Sequence, residues 1–436
     1  MTMSKPAASS IAIRTGWRGT VDTLRLERSH SRLLSGSLIM LLASTAVSGV
    51  NFAYNVVIAR LLGPAAFGHT SAAVTLLMLA SALTLSFQLV CAKFVARNQT
   101  AGGKAAVYHY LRRRSWLVGA LLGAGFIVLS APVSWYLRLP SPWIVILLAF
   151  GLMMYVPLGV KRGAFQGTCS FGLLSANFLL EVAVKFVGAV ILVELGFGVL
   201  GAVGAITASL VLAYFLPLTP KELEMPQGSG IPASFGEGMQ AIVFFVGQVV
   251  INNIDILLVK HFFRPEDAGL YAAVALVGRV LYFAAWSVVS VMFPISAGAK
   301  ARDTGYWSLV IPLALVSLIA VGFILVSNYL PGLVIQTVFG TGFTQIAPLL
   351  SLYAATTGAY ALAVVLMAYE MSRRIANTGW LQLAFSGAVI IGIYAFHSTL
   401  REVIIVQLIL MVFLLIAVSM PFFRRFKVAT AAQEAA

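Results

Sequence analysis

Apolar residues run in stretches of about 20 along nearly the whole chain, each bounded by a short polar segment. A bilayer core about 30 Å thick is crossed by roughly 20 apolar residues in a helix. The pattern therefore predicts spans at 35–59, 70–92, 115–137, 142–160, 171–193 and 197–217, and six more at 236–259, 268–294, 306–329, 346–368, 376–397 and 402–422. The clearest interruption, Pro220 to Gly230, is polar, carries proline and glycine, and falls at the midpoint. It divides the chain into a basic tail at 1–34, a six-helix lobe at 35–219, a linker at 220–235, a second six-helix lobe at 236–423 and a short tail at 424–436. The expected fold is an all-α integral membrane protein of about 12 transmembrane helices in two pseudo-symmetric lobes.

Composition agrees with that pattern. Of 436 residues, 60% are hydrophobic and 10% charged, against about 45–50% and about 25% in soluble domains. The formal charge of +15 invites a nucleic-acid reading, but its placement argues for membrane orientation instead. Of the 29 Lys and Arg residues, 22 fall on the side of the N-terminus, the largest clusters being the tail and the segment Lys93 to Arg114. Five lie on the other side: Arg60, Arg138, Lys260, Arg264 and Arg401. By the positive-inside rule both termini are cytoplasmic. Residues 1–34 lack an apolar stretch long enough for a cleavable signal. Cys91 and Cys169 have neither metal nor disulfide spacing and read as small apolar residues.

A shift of 201 positions aligns the starts of the two halves: Asn51 falls on Asn252, Pro64 on Pro265, Gly68 on Gly269 and Ala72 on Ala273. An even number of spans separates the copies, so both halves point the same way, and the symmetry axis runs along the membrane normal. Each Pro-x-x-x-Gly element lies between the first and second spans of its half, where it serves as a helix start or as a packing or hinge point.

Three stretches carry a family resemblance. They are Ala59 to Gly68; Arg162, Gly163, Gln166, Gly167, Phe171, Glu181, Lys185, Gly196, Gly198, Gly201 and Ala202; and Asn252 to Asp255, Pro265 to Tyr271, Arg279 and Pro294. In order and spacing the chain resembles the Wzx-type polysaccharide or O-antigen flippases of the multidrug/oligosaccharidyl-lipid/polysaccharide exporter superfamily. The resemblance covers the first two-thirds; beyond about residue 300 only the span pattern matches. Lys185 stands where family members often carry arginine, which removes bidentate hydrogen bonding there. The resemblance implies two lobes around a central cavity, in a multi-pass protein of a bacterial inner membrane. It implies movement of a polyprenyl-pyrophosphate-linked oligosaccharide to the outer leaflet for lipopolysaccharide or exopolysaccharide synthesis. Its partners would be the lipid-linked oligosaccharide, membrane lipids and polysaccharide polymerase machinery, with no nucleic acid.

Ionisable groups inside spans are costly and usually face a cavity or a partner. The candidates are Glu181, Lys185, Asp255 and Arg279, with Asn51 and Asn252 as polar company. Glu181 and Lys185 lie four apart on one helical face, so they either line the cavity or neutralise each other. Asp255 has no basic partner within its own span, and Glu237 opens the seventh span near the interface. No enzymatic cofactor is expected, while coupling to H+ or Na+ through Asp255 or Glu181 stays open. Gly196 to Gly201 fits a dinucleotide fingerprint, but between apolar spans it reads as a tight turn. Gly119 and Gly123 form a helix-packing face. There is no Walker A sequence. A cation-coupled multidrug antiporter is the alternative within the superfamily. A polysaccharide polymerase or ligase, the enzyme alternative, needs a larger outer loop than these connections provide. Reporter fusions at residues 64 and 265 should read as external; a cytoplasmic signal at either would overturn the topology.

Overall fold

The computed structural model describes the backbone of residues 12–224, 226, 228, 233, 239–298, 302–373 and 378–434. Side chains are described for these residues except 12–37, 240, 241, 293–295, 297, 298, 302–306, 378 and 423–434. The side chains of both tails, half of the linker and Glu237 thus lie outside the described residues. Everything ordered into regular elements is helical, as a lipid solvent requires when each backbone group must be bonded within its own segment.

The predicted spans map onto the helices in order. The first two run through α1 (Ala12–Arg97), which kinks where Gly63 adopts φ 74° ahead of Pro64. That φ favours glycine, and the proline that follows starts the next helix. The third span is α2 (Ala101–Val128) followed by α3 (Ser130–Tyr136), bent by 63°. The fourth is α4 (Trp143–Gly167), which extends past its predicted end at residue 160. The fifth and sixth are α5 (Phe171–Leu192) and α6 (Gly198–Phe215), joined by a turn in which Gly196 and Gly198 have φ of 89° and 54°. That turn matches the reading of Gly196 to Gly201 as a tight connection.

In the second half, α7 (Met239–Ile251) and α8 (Ile254–Phe262) form one span broken at Asn252–Asn253. There follow α9 (Pro265–Gly298), α10 (Arg302–Tyr329), a short α11 (Pro331–Phe339), α12 (Leu350–Arg373), α13 (Thr378–Ala395) and α14 (Leu400–Glu434). By length and apolarity eight described segments can cross a bilayer, or nine with the bent α2–α3 pair counted as one span. The remaining predicted spans are accounted for because α1 and α5–α6 each hold two and α13 is a shorter apolar helix.

Burial sorts the helices into an inner and an outer set. In α12 and α4 about two-thirds of the apolar window is buried, 67% and 61%, while in α10 only 11% is. Trp307, Ile311, Leu315 and Leu318 of α10 are exposed, which suits a helix facing lipid. Close packing relies on small residues. Cβ atoms built on Gly159, Gly163 and Gly167 of α4 would collide with the α1 backbone at Thr84, Gln88 and Ala92, a register of four on both helices. Gly119 and Gly123 of α2 likewise meet the α4 backbone at Met153 and Ala149. Without a hydrophobic drive between helices in lipid, such approaches supply the packing contacts.

The lobes meet at the end that carries Pro64 and Pro265. A Cβ on Gly68 would lie 2.5 Å from the Pro265 carbonyl oxygen and 2.9 Å from the Gly269 nitrogen; one on Gly269 would collide with the Pro64 carbonyl. The contact is reciprocal, so the pseudo-twofold axis passes between the two Pro-x-x-x-Gly elements. Phe67 packs beside it on Phe339 and, edge on at 6.0 Å, on Phe343. Around this contact, Arg60 donates to the carbonyls of Val338, at 2.8 Å, and Thr337. His261 stacks on Tyr136 at 3.9 Å and donates from Nδ1 to the Tyr136 carbonyl at 2.8 Å. Tyr136 and Tyr394 join through their hydroxyls. Overpacking costs about 1–3 kcal/mol, so Gly269→Ala should lower the melting temperature of the purified protein by several degrees. Gly125→Ala, where a Cβ meets nothing within 4 Å, should leave it unchanged; equal effects would remove the close contact from the account of stability.

Candidate functional site

In the second lobe the break between α7 and α8 leaves backbone carbonyls without helical partners. Asn252 and Asn253 turn their side-chain amides back to the carbonyls of Gln248 at 2.8 Å and Val249 at 2.7 Å. Arg279 of α9 donates to the freed Asn252 carbonyl at 2.8 Å. An intramembrane guanidinium thus satisfies a broken helix, the repair that irregular backbone in a membrane needs. Asp255 sits in the first turn of α8, where the helix dipole favours a carboxylate. Its Oδ2 accepts from Tyr271 at 2.8 Å and Tyr353 at 3.1 Å, while Oδ1 has no partner. The network continues through Gln407, which donates to the Tyr271 hydroxyl at 2.6 Å. Nearby, Tyr360 accepts from Asn252 at 3.2 Å and from Gln382 at 2.6 Å. Five spans therefore converge on one carboxylate and one cation.

In the first lobe Glu181 forms its ion pair with Arg162 of α4. Arg162 also donates from Nε to Asn177 Oδ1 at 2.8 Å and lies over the Phe178 ring at 4.0 Å. Asn177 passes the bond on to the Ala213 carbonyl at 2.7 Å. Lys185, one turn beyond Glu181, donates to Asn51 Oδ1 and lies 4.9 Å from the Tyr54 ring. The self-neutralised Glu181–Lys185 pair weighed from helical spacing is thus replaced by two partners on other helices. The reason is reach: α4 carries Arg162 further along the membrane than its predicted end allowed.

Structure sorts the six candidates into two groups, Asn51, Glu181 and Lys185 in one lobe and Asn252, Asp255 and Arg279 in the other. Among the described residues no hydrogen bond or ion pair links the groups. Asp255 is 1% exposed, so it is sealed within its lobe rather than lining an open cavity, while the other five are half-buried. The two repeat-equivalent asparagines are each engaged by the cation of their own lobe: Asn51 through its side chain by Lys185, Asn252 through its carbonyl by Arg279. The sequence places Arg162 in a stretch that carries the resemblance but gives it no partner, and it does not single out Lys161, whose Nζ donates to the carbonyls of Tyr214 at 2.7 Å and Leu216 at 2.6 Å. Tyr271 likewise belongs to a resemblance stretch without an assigned role, while Tyr353, Gln382 and Gln407 carry no signal apart from being polar within apolar runs. Breaking a buried ion pair costs roughly 3–5 kcal/mol. Arg162→Met and Glu181→Met should each destabilise the protein by that order, and the double variant by less than the sum; an additive double-mutant cycle would show the pair to be energetically idle.

Residues 57–348, about two-thirds of the chain and parts of both lobes, match the family described as polysaccharide biosynthesis protein. No curated protein matches the chain. Among solved structures, an inward-facing multidrug resistance MATE family transporter of the MOP superfamily superposes with a TM-score of 0.73 at 12% identity, covering 92% of this chain and 99% of that one. An outward-facing conformation of such a transporter gives 0.54 at 14% identity over 92% and 95%. A MOP superfamily transporter from Pyrococcus furiosus, described as having a binding pocket of reverse polarity, gives 0.53 at 15% identity over 91% and 95%. These identities establish a shared fold, and the family match establishes membership: the chain belongs to the polysaccharide biosynthesis protein family and carries the fold of the MOP superfamily transporters.

Proposed function

We propose that the protein is a flippase that moves a polyprenyl-pyrophosphate-linked oligosaccharide across a bacterial inner membrane by alternating access. The observation that carries this reading is the family match across both lobes; the multidrug transporters share only the fold, at 12–15% identity. The positive-inside bias makes the Pro64/Pro265 end external and both termini cytoplasmic. In the state described here the lobes are joined at that external end, which supports an access path from the cytoplasmic side. The half-buried Lys185 and Arg279 supply positive charge in the membrane for a diphosphate or an acidic sugar. The lipid tail stays in the bilayer, and the head crosses between the lobes. Polysaccharide polymerase machinery would take up the product.

Asp255 suits a coupling role. Its Oδ1 is without a partner inside a network of tyrosine hydroxyls, a place where H+ or Na+ would neutralise the carboxylate and relax the broken span. A deletion strain should accumulate lipid-linked oligosaccharide, and the wild-type gene should clear it. Asp255→Asn, which keeps size and one acceptor, should leave protein in the membrane yet slow clearance by about tenfold or more. Glu181→Ala should instead reduce the amount of protein, because it strands Arg162. Absence of any lipid-linked intermediate would overturn the flippase reading, and cation-driven drug efflux in its place would favour the antiporter.

A further inference from the structure

At the external end a pocket of about 610 Å³ opens on the seam, lined by Ser134, Trp135, Tyr136, Arg138 and Pro142 of the first lobe and by His261 of the second. Several buried polar atoms around it lack hydrogen-bond partners. Ser134 Oγ is buried without a hydrogen-bond partner, and so is the Nζ of Lys260, the residue before His261, whose side chain is 0% exposed. His69 Nδ1 is a third buried atom with no partner. Leu257, one turn before Lys260, packs with Ala72 and Leu137, which brings Lys260 to the part of the seam that carries His69 and Arg138. Arg138 makes one long bond, 3.4 Å, to the Phe263 carbonyl. It is held at φ 48°, a conformation few residues with a side chain adopt and one that concentrates at functional positions.

A buried ammonium without acceptors is strongly unfavourable, and a second cation beside it makes matters worse. An oxyanion resolves both at once, because its several oxygens accept from ammonium, guanidinium and hydroxyl together through charge-assisted bonds. Depth says where the anion comes from. Trp135, which lines the pocket, is 80% exposed, and Trp143, the residue after Pro142, is 66% exposed; exposed tryptophans mark the headgroup level of a bilayer.

We propose that this cluster (Lys260, Arg138, Ser134 and His69) is an external subsite for the diphosphate of a polyprenyl-linked headgroup. It receives the group once the lobes part at this end. The assignment rests on the flippase reading and adds to it a place where the headgroup is held before release. It also accounts for two of the five basic residues that sit against the positive-inside bias.

The test is pyrophosphate binding by the purified full-length protein in phosphatidylcholine nanodiscs. Wild type should bind inorganic pyrophosphate. Lys260→Met and Arg138→Gln should each weaken binding by about tenfold, and Ser134→Ala by a smaller factor. Arg264→Gln, whose side chain is 75% exposed and paired with Asp267, should leave binding unchanged. If Lys260→Met does not fold, Arg138→Gln and Ser134→Ala carry the same test from the pocket lining. Nanodiscs doped with polyprenyl phosphate should displace pyrophosphate, while equal charge as phosphatidylglycerol should not. Binding unaffected by the variants, or displacement by both lipids alike, overturns the site. The deletion strain decides the underlying reading separately. Intermediates without variant-sensitive binding keep the flippase and remove the subsite. Variant-sensitive binding without intermediates keeps an anion site and removes its role in flipping.

Discussion

A helix ends with carbonyls that have no helical partner, and inside a bilayer there is no water to satisfy them. Much of this structure follows from how that is resolved. Lys161 serves the end of α6 through the Tyr214 and Leu216 carbonyls. Arg279 serves the end of α7 at Asn252, and Arg60 the end of α11 at Thr337 and Val338. Arg138 reaches the carbonyl that follows α8, and Arg373 that of Ser296 near the end of α9 at 3.2 Å. In each case a cation, carried by another helix or, for Arg138, by the turn after α3, caps a helix at its negative pole, where the dipole adds to the hydrogen bond.

This arrangement separates structural charge from charge available for transport. Arg162 is committed to Glu181 and Asn177, and Arg279 gives one nitrogen to the broken span while its Nε remains without a partner. Lys260 differs from these, because its buried Nζ has no hydrogen-bond partner. The lobes also differ in kind. The first closes its network with a direct ion pair, whereas in the second the carboxylate bonds to tyrosine hydroxyls and the cation to a freed carbonyl. A change in the charge of Asp255 would therefore be felt across four spans at once, through Tyr271, Tyr353 and Gln407.

Span positions, the two-lobe division and the repeat were legible in the chain because a bilayer imposes one length and one polarity on each helix. The pairing of Pro64–Gly68 with Pro265–Gly269 was visible as a repeat, but not as a contact: periodicity shows equivalence, not adjacency. Arg162 is not a foreseeable partner for Glu181 when the fourth span is taken to end at residue 160, because Lys161 and Arg162 then fall outside it; α4 continues to Gly167. A basic pair bounded by apolar residues on both sides was the available signal. The burial of Asp255 and its tyrosine neighbours depends on how five distant segments pack, which local spacing does not encode. The short α11 is not predicted from the apolar pattern, because nine residues are too few to register as a span.

Across the seam, the acceptors are mostly main-chain oxygens: Arg60 to Thr337 and Val338, Arg138 to Phe263, His261 to Tyr136. A main-chain oxygen is present whatever residue carries it. The halves can therefore drift apart in sequence on the accepting side without unlatching, and the pressure to stay unchanged falls on the donors and on the two glycines. An ancestral duplication could diverge freely along most of its length under such terms, provided that those few positions were kept.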